Sequence, residues 1–423
     1  MKRIVFSLII ALFATCSPTF AQGSANYISV AGKVIDTKSR QAVDYASVSL
    51  TGTGISNITN SEGVFTLKIP ASTPAESKIT ISHLGYAALI VRVGELEGTT
   101  PDSPKRLEMH PVSIEIDAAR INGMNARELI EIAYSKVKEN YPQHRMGVTA
   151  FYREIIRKGG NRYLSLNEAI IDINKAPYKL NQNDRAGIYK GRGSSNYNAT
   201  DSLLIQYQGG VMSSLYIDQV QNPFAAVYYE QIDEYYDFTM GGSRTMDNRL
   251  FYVVNFNQKK DIERPYFRGS VFIDSETFAI GRVEMNMNVE GNPLATPIFV
   301  KKRPLHSKVE VTYAGYVINY KQIGNLWYYD YAMIDIRFNA HRKISLFKTN
   351  YSIVSEMAVT NRSDNEKEIN SDNRIRFADQ LSKKVSAFTD DEFWEDYNII
   401  EPDQSVDVII RRIVRQLRKR EGE

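Results

Sequence analysis

The chain has 423 residues, more than one hydrophobic core usually organises, so we expect two or three domains. Its 26 tyrosines and 18 phenylalanines accompany many Val, Ile and Thr residues, a composition that favours half-buried strands. The 52 basic and 49 acidic side chains leave a net charge of only +3, which excludes a basic surface large enough to hold nucleic acid.

Residues 1–21 have the layout of a secretory signal peptide. Met1-Lys2-Arg3 is basic, residues 4–14 are apolar, and Thr19-Phe20-Ala21 precedes Gln22. The apolar run is too short to span a bilayer. We therefore expect export, cleavage after Ala21, and a mature protein in the periplasm or at the outer membrane.

Cys16 is the only cysteine and leaves a second form of processing open. Lipidation requires a Leu-like residue three positions earlier and a small residue immediately before the cysteine, and Phe13 and Thr15 fit this pattern poorly. Cleavage after Ala21 would remove the cysteine. The mature chain would then have no disulfide, no reactive thiol and no cysteine-bound metal.

Residues 27–110 show short alternating stretches separated by turn residues, a pattern that predicts a small β-sandwich. Four of the stretches resemble the carboxypeptidase-regulatory-like domain: Gly32-Lys33-Val34-Ile35-Asp36, Ala46-Ser47-Val48, Thr59-Asn60-Ser61-Glu62-Gly63-Val64-Phe65 and Ile81-Ser82-His83-Leu84-Gly85-Tyr86. The resemblance implies a transthyretin-like or Ig-like fold and a Bacteroidetes envelope protein, since such domains commonly precede TonB-dependent receptors or other envelope domains. The residues themselves suit structural roles, because Gly63 and Gly85 fit turns and Tyr86 can bury its ring.

A polar linker at 94–104 and a boundary near residue 120 separate this sandwich from the rest of the chain. Asn125 is a good N-cap and Glu128 completes a capping box, so a helix is expected over 126–140. From there to residue 400, alternating strands with polar loops predict a large antiparallel β domain with a few flanking helices. The hairpin at 268–284 resembles those of LolA-type lipoprotein carriers, whose half-barrel is one form that this domain could take.

Residues 404–420 form a predicted amphipathic helix. Its apolar side chains fall on one face and its arginines on the other. The helix can dock its apolar stripe on the β domain, or lie on an anionic membrane surface as a peripheral anchor.

The motifs for chemistry are sparse. The five histidines lack zinc-peptidase spacing, and no nucleophile elbow, phosphate-binding loop or dinucleotide fingerprint occurs. Residues 191–196 read as a mobile surface loop. The carboxylate pairs Asp233/Glu234 and Asp390/Asp391 could serve a hydrolase, although such pairs are usually solvated. We expect no catalytic residue, no cofactor and no metal.

One tyrosine-rich region, residues 207–238, has aromatic rings interleaved with amides and carboxylates. Such groups can stack on and hydrogen bond to a glycan or peptide. The candidate ligand-binding residues are Tyr207, Tyr216, Tyr228, Tyr229, Tyr235 and Tyr236. The structural alternative is a Tyr-rich loop and short helix that cover the sheet.

The sequence thus predicts a non-enzymatic binding or assembly protein of the cell envelope, with envelope proteins or a glycan, peptide or lipid as partner. A carrier of lipid or lipoprotein that uses a half-barrel groove is the first alternative. A carboxylate-dependent hydrolase is the second.

Overall fold

The computed structural model describes residues 27–112, 124–159, 162–178, 182–195, 210–224, 231–300, 307–342, 348–387, 391–404 and 406–411. The predicted signal peptide, Cys16 and most of the predicted C-terminal helix lie outside these ranges. Two small sheets are followed by one large sheet with few helices, which confirms the predicted mainly β fold.

The N-terminal domain is a sandwich of two small sheets. One sheet has the order β4-β1-β7 and the other β3-β2-β5-β6. Alternating side chains of both sheets, such as Val30, Leu67 and Ile81, are buried between them because every second residue points inward. The strands are β1 Tyr27–Asp36, β2 Ser47–Leu50, β3 Ser56–Ile58, β4 Val64–Pro70, β5 Lys78–Ser82, β6 Leu89–Arg92 and β7 Lys105–Met109.

Two glycines of this domain occupy the turn conformations that the sequence predicts. Gly63 has φ +74° and lies against the carbonyl oxygen of Val34, where a Cβ atom would be only 2.3 Å from that oxygen. Gly85 has φ +85°, and Tyr86 then donates its hydroxyl to Asp36 at 2.7 Å. Glycine adopts this left-handed backbone without the penalty that other residues incur.

The predicted helix at 126–140 is present as two consecutive helices, α1 Ala126–Ser135 and α2 Val137–Asn140. The Asn125 side chain accepts a hydrogen bond from the Glu128 amide, and the Glu128 carboxylate accepts one from the Asn125 amide. This capping box confirms the predicted start of the helix.

Twelve of the described strands form the second sheet, in the order β11-β12-β13-β14-β15-β16-β17-β8-β9-β10-β18, with β19 beside β10. All neighbours are antiparallel except β19 with β10. Among the described strands, the terminal ones do not pair with each other, so the sheet is open. The strands are β8 Met146–Lys158, β9 Arg162–Lys175, β10 Arg185–Ser195, β11 Tyr236–Met246, β12 Arg249–Gln258, β13 Phe267–Asp274, β14 Ile280–Met287, β15 Ser307–Ile323, β16 Leu326–Arg342, β17 Thr349–Ser363, β18 Arg374–Ile375 and β19 Ser386–Ala387.

The two faces of this sheet are both covered. The face that bears Val148, Ala150 and Tyr152 of β8, here called the helix face, packs against α1 and the segment 210–224. That segment begins with α3 Gly210–Tyr216; two further short helices are α4 Ile232–Tyr235 and α5 Thr296–Phe299. The opposite face, which bears Phe151 and is here called the sandwich face, packs against Ile58 of the N-terminal domain.

Residues 391–404, here called the C-terminal segment, lie between the two domains. Trp394 and Ile400 are buried against the sandwich face. The Asn398 side chain accepts a hydrogen bond from the Lys68 amide at 2.7 Å and donates one to the Lys68 carbonyl at 3.0 Å. An amide side chain thereby pairs with the edge of β4 as a neighbouring strand would.

A helical turn follows the C-terminal segment and ends, within the described residues, at Arg411. Its side chains Val406, Ile409 and Ile410 are buried with Ile155 and Leu166 on the sandwich face. The described part of the predicted amphipathic helix is therefore docked on the β domain. Within the described ranges, no helix is both long and apolar enough to cross a membrane.

The prediction of a mobile loop at 191–196 is wrong for residues 191–195, which belong to β10; Asn196 lies outside the described residues. Gly191 and Gly193 lie beneath Val385, and a Cβ atom at either position would approach its side chain to less than 3 Å. Glycine is needed here because another segment packs directly on the strand, not because the chain turns.

Candidate functional site

A cavity opens between α3 and the helix face of the sheet, and we call it the α3 cavity. Its empty volume is about 310 Å³, counted together with its open mouth. Most of its lining is apolar or aromatic. The lining residues are Pro142, Met146, Val148, Ile173, Lys175, Tyr178, Leu215, Tyr328, Tyr329 and Arg362.

Lys175 supplies the charge on one wall of the α3 cavity. Its ammonium nitrogen lies 2.8 Å from Asp184 and 2.8 Å from Asp218. The ring centroids of Tyr178 and Tyr329 are 4.9 and 5.6 Å from the same nitrogen. Burial lowers the pKa of Lys175, but the two carboxylates outweigh burial and hold that pKa above its usual value.

The carboxylates beside Lys175 are themselves fully engaged. Asp218 accepts the hydroxyl hydrogen bonds of Tyr178 at 3.0 Å and Tyr320 at 2.6 Å. Burial raises the pKa of Asp184, which Lys175 opposes, and Asp184 also accepts the amide of Ala176. This network fixes the cavity wall and leaves the Lys175 charge neutralised.

Arg362 connects the α3 cavity to the N-terminal domain. Its guanidinium pairs with Asp330 at 2.5 Å and donates to the hydroxyl of Ser56 on β3 at 3.2 Å. The Asp330 carboxylate also accepts the hydroxyl of Ser47 on β2 at 3.2 Å. One buried ion pair therefore belongs both to the cavity and to the domain interface.

Lys321 adds a second cation to this interface, donating to the Ser47 hydroxyl at 3.2 Å. Burial lowers the pKa of Lys321 to about 8, although the nearby Asp330 raises it. A buried ammonium shifts in this direction because its charged form loses hydration. The interface is thus polar and tightly organised around the sandwich strands β2 and β3.

The N-terminal sandwich can now be identified from its sequence as well as its geometry. Residues 30–110 match the family model described as CarboxypepD_reg-like domain. The sandwich is similar to this family over the matched residues. Its family residues Tyr86 and Gly63 hold turns and strands together, as described above, which agrees with the resemblance seen in the sequence.

Several solved structures are similar to the chain, and each covers a little more than half of it. A LolA superfamily protein from Nitrosomonas europaea has 10% identity and a TM-score of 0.24, over 59% of this chain and 96% of that chain. A putative outer membrane lipoprotein-sorting protein domain from Vibrio parahaemolyticus has 12% identity and a TM-score of 0.26, over 59% and 97%. A DUF1329 family protein from Desulfovibrio piger has 13% identity and a TM-score of 0.22, over 56% and 93%.

The 268–284 hairpin forms β13 and β14. The TM-scores of the similar structures are low, so the likeness supports no conclusion about what this chain does. Among curated proteins, none has a significantly similar sequence.

The six predicted ligand-binding tyrosines have different positions. Tyr216 at the end of α3 is 46% exposed and contacts Phe377, which is 50% exposed, edge to face. Tyr235 is half-buried against Tyr266. Tyr236 is buried, and its ring packs against Phe224 and Phe256. Tyr207, Tyr228 and Tyr229 lie outside the described residues.

Tyr236 is therefore part of the hydrophobic core and does not form part of a surface, because the residue is only 2% exposed. Ligand binding at Tyr216 and Tyr235 stays a prediction. The Asp233 carboxylate of the pair Asp233/Glu234 bonds to Arg127 at 2.7 Å. Asp390 of the other pair lies outside the described residues.

The described histidines form no candidate metal-binding group. Within the described parts of the chain, no group of three His, Cys, Asp or Glu side chains could hold a metal ion. His83 Nδ1 donates to the Leu84 carbonyl oxygen at 2.8 Å, and burial lowers the pKa of His83. His306 lies outside the described residues.

Sequence analysis missed Lys175 and Arg362 as cavity residues. A signal for Lys175 existed, because Ala169, Ile171 and Ile173 alternate toward the helix face and Lys175 continues the same alternation. A charged side chain at an inward position must find a partner inside the fold. Its partner Asp184 lies nine residues on, just before β10, whereas Asp218 follows α3, and no local pattern specifies either contact.

Proposed function

We propose that the chain is a non-enzymatic binding protein of the cell envelope that takes the apolar part of a ligand into the α3 cavity. The observation that carries the proposal is the mainly apolar lining between α3 and the sheet. Concave sites with mostly apolar walls and a few fixed polar groups are the usual form of small-molecule sites.

The charges around the cavity support binding rather than catalysis. Lys175 is held by Asp184 and Asp218, and Arg362 by Asp330. A catalytic acid, base or nucleophile needs a group within reach of the substrate, with a pKa suited to proton transfer. Because Lys175 and Arg362 are held in ion pairs, we assign them the role of fixing the cavity wall.

A carrier of lipid or lipoprotein is the second candidate, and the size of α3 favours it. This helix has seven residues, and Val211 and Leu215 are its buried aliphatic anchors. Displacement of so short a helix would uncover further apolar surface for a longer chain.

The location and partners form part of the same proposal. The predicted signal peptide and the CarboxypepD_reg-like domain support an exported envelope protein, in the periplasm or at the outer membrane. Envelope proteins are the expected partners, because domains of this kind commonly precede TonB-dependent receptors or other envelope domains. Fractionation followed by pull-down from envelope extract tests this: recovery of the mature protein alone, in the soluble periplasm, would contradict the assembly role.

Two adjacent residues of α3 provide a test of the ligand surface. Leu215 lines the cavity, whereas Tyr216 points outward to Phe377. Titration of the purified full chain with the apolar fluorophore N-phenyl-1-naphthylamine reports binding. We expect Leu215→Phe to fill the cavity and weaken binding by about tenfold, a loss of roughly 1.4 kcal/mol. Tyr216→Ala should leave binding unchanged.

Thermal unfolding of both variants checks that they fold. Loss of fluorophore binding in Tyr216→Ala with retention in Leu215→Phe would place the ligand on the exposed aromatic surface and contradict the cavity. Equal binding by both variants and the wild type would show that the fluorophore does not use α3.

A further inference from the structure

Three polar side chains form a line across the helix face, and we call them the polar row. They are Ser355 on β17, Glu154 on β8 and Asn167 on β9. Ser355 pairs in register with Glu154, and Glu154 with Asn167. All three are buried. Neighbouring strands are ~4.8 Å apart, so Ser355 and Asn167 flank Glu154 one strand away on either side.

Glu154 is buried without a cation. Its carboxylate accepts the Tyr152 hydroxyl at 3.3 Å and the Asn167 amide nitrogen at 3.3 Å, both of them long. Among the residues that the structure describes, no Lys, Arg or His forms an ion pair with it. Burial consequently raises the pKa of Glu154 to about 7, and its two hydrogen bonds only partly oppose this.

The neighbours of Glu154 carry unused hydrogen-bonding capacity. The Ser355 hydroxyl oxygen and the Asn167 carbonyl oxygen are buried and have no hydrogen-bond partner within the described chain. Buried polar groups are nearly always paired, and leaving them unpaired is destabilising. A group that donates several hydrogen bonds and carries a positive charge would satisfy all three members of the row.

We propose that the polar row binds the ammonium group of a cationic amphiphile whose apolar chain lies along the helix face. This inference rests on the proposed function. An alkylammonium carries three N–H donors and one positive charge. The Glu154 carboxylate, the Asn167 carbonyl oxygen and the Ser355 hydroxyl supply three acceptors and the compensating negative charge.

An acyl chain held at the polar row would cover most of the distance to the α3 cavity. Val148 lines the cavity, and Glu154 follows six residues later on the same strand, which is roughly 20 Å of extended chain. One leaflet of acyl chains spans ~15 Å, half of the hydrocarbon core of a bilayer. Between the two points the helix face bears Ala150, Ala169 and the ring of Tyr152, all of them buried.

The test compares three ten-carbon probes that differ only in their head group. Decylamine, decanol and decanoate, each below its critical micelle concentration, displace N-phenyl-1-naphthylamine from the full chain. At pH 8 we expect decylamine to displace the fluorophore at about tenfold lower concentration than decanol, and decanoate to be weakest. At pH 6 the preference for the amine should shrink, because Glu154 becomes protonated.

Two variants separate the polar row from general effects. Glu154→Gln should reduce the amine preference to about twofold or less while the decanol affinity stays the same. Ser355→Ala should also weaken decylamine binding without lowering the melting temperature, because that hydroxyl has no partner to lose. Glu356→Gln is the matched control, since Glu356 is next to Ser355 but bonds to Tyr331 on the sandwich face.

Each outcome decides between the two proposals. Decanol binding without an amine preference, or an amine preference that survives Glu154→Gln, would overturn the polar row and leave the α3 cavity standing. Failure of every probe to displace the fluorophore, or of the fluorophore to bind, would overturn the proposed function and the polar row with it.

Discussion

Glu154 and Glu168 are buried carboxylates on neighbouring strands, and their pKa values are shifted in opposite directions. Glu168 lies on the sandwich face between Arg153 at 2.7 Å and Arg192 at 3.0 Å, and despite burial these cations hold its pKa below the usual value. Glu154 lies on the helix face with two neutral hydrogen-bond donors. The same amount of burial therefore stabilises the charge in one case and opposes it in the other.

We expect Glu154→Gln to stabilise the protein in a pH-dependent way. The pKa of Glu154 rises from 4.5 to about 7 on folding. The folded state therefore binds the proton more tightly than the unfolded state does. As the pH rises from 4.5 to about 7, the free energy of unfolding falls, because Glu154 must ionise inside the folded protein. At pH 8 the penalty is complete and amounts to about 3 kcal/mol, whereas at pH 4 it is absent. Urea unfolding of wild type and variant at both pH values measures the difference.

Glu168→Gln serves as the control of opposite sign. Its removal leaves Arg153 and Arg192 buried without their shared anion, so we expect a loss of roughly 3–5 kcal/mol at pH 8. An unchanged free energy of unfolding for Glu154→Gln at pH 8 would show that Glu154 already has a compensating cation.

The alternation of the sequence predicted the faces of these strands but not the partners of the polar residues. Tyr152 and Glu154 share a face with Val148 because side chains repeat every two residues along a strand. That rule identifies a polar residue at an inward position. It does not state whether a cation, a hydroxyl or an unpaired oxygen lies opposite, since β17 and β9 are separated by more than 170 residues.

At the scale of elements, the sequence predicted the long hairpins well. It predicted poorly a strand that contains glycines and a contact made by a single side chain. β15 and β16 pair along their whole length, and the alternation of both was clear in the sequence. β10 was misread because Gly191 and Gly193 have no side chain with which to show a period. The role of Asn398 was also invisible, because a side-chain amide that pairs with a strand edge leaves no pattern.

Asn398→Ala tests that contact. It removes two hydrogen bonds to the backbone of Lys68, so we expect a loss of about 1–3 kcal/mol. Hydrogen exchange of the Lys68 amide should become faster while amides of the β15–β16 hairpin keep their protection. Asn365→Ala, at an exposed position, is the control. Unaltered exchange at Lys68 in the Asn398 variant would mean that the C-terminal segment does not hold β4.

At the scale of the whole molecule, the two domains share buried polar contacts as well as apolar packing. Arg362 of the large sheet pairs with Asp330 and with Ser56 of the CarboxypepD_reg-like domain. The sequence predicted both domains but gave no sign of this junction, which joins residues about 300 positions apart. Interfaces of this kind make the unfolding of one domain depend on the other.

Arg362→Ala should uncouple the domains. It leaves Asp330 buried without its cation, and we expect a loss of roughly 3–5 kcal/mol and two calorimetric transitions in place of one. Arg337→Ala is the matched control, because Arg337 pairs with Asp335 on the same sheet and its side chain is 60% exposed. That variant should lose less than about 1 kcal/mol. A single unshifted transition for Arg362→Ala would contradict the coupling.

The C-terminal segment also determines when, during synthesis, folding of the molecule can be completed. A ribosome completes the CarboxypepD_reg-like domain first, yet Lys68 on its β4 edge and Phe151 of the sheet are covered by residues that are made about 240 positions or more later. Until then the strand edge and the apolar ring face water. A chain interrupted before residue 391 therefore has both surfaces open to unwanted pairing with its neighbours.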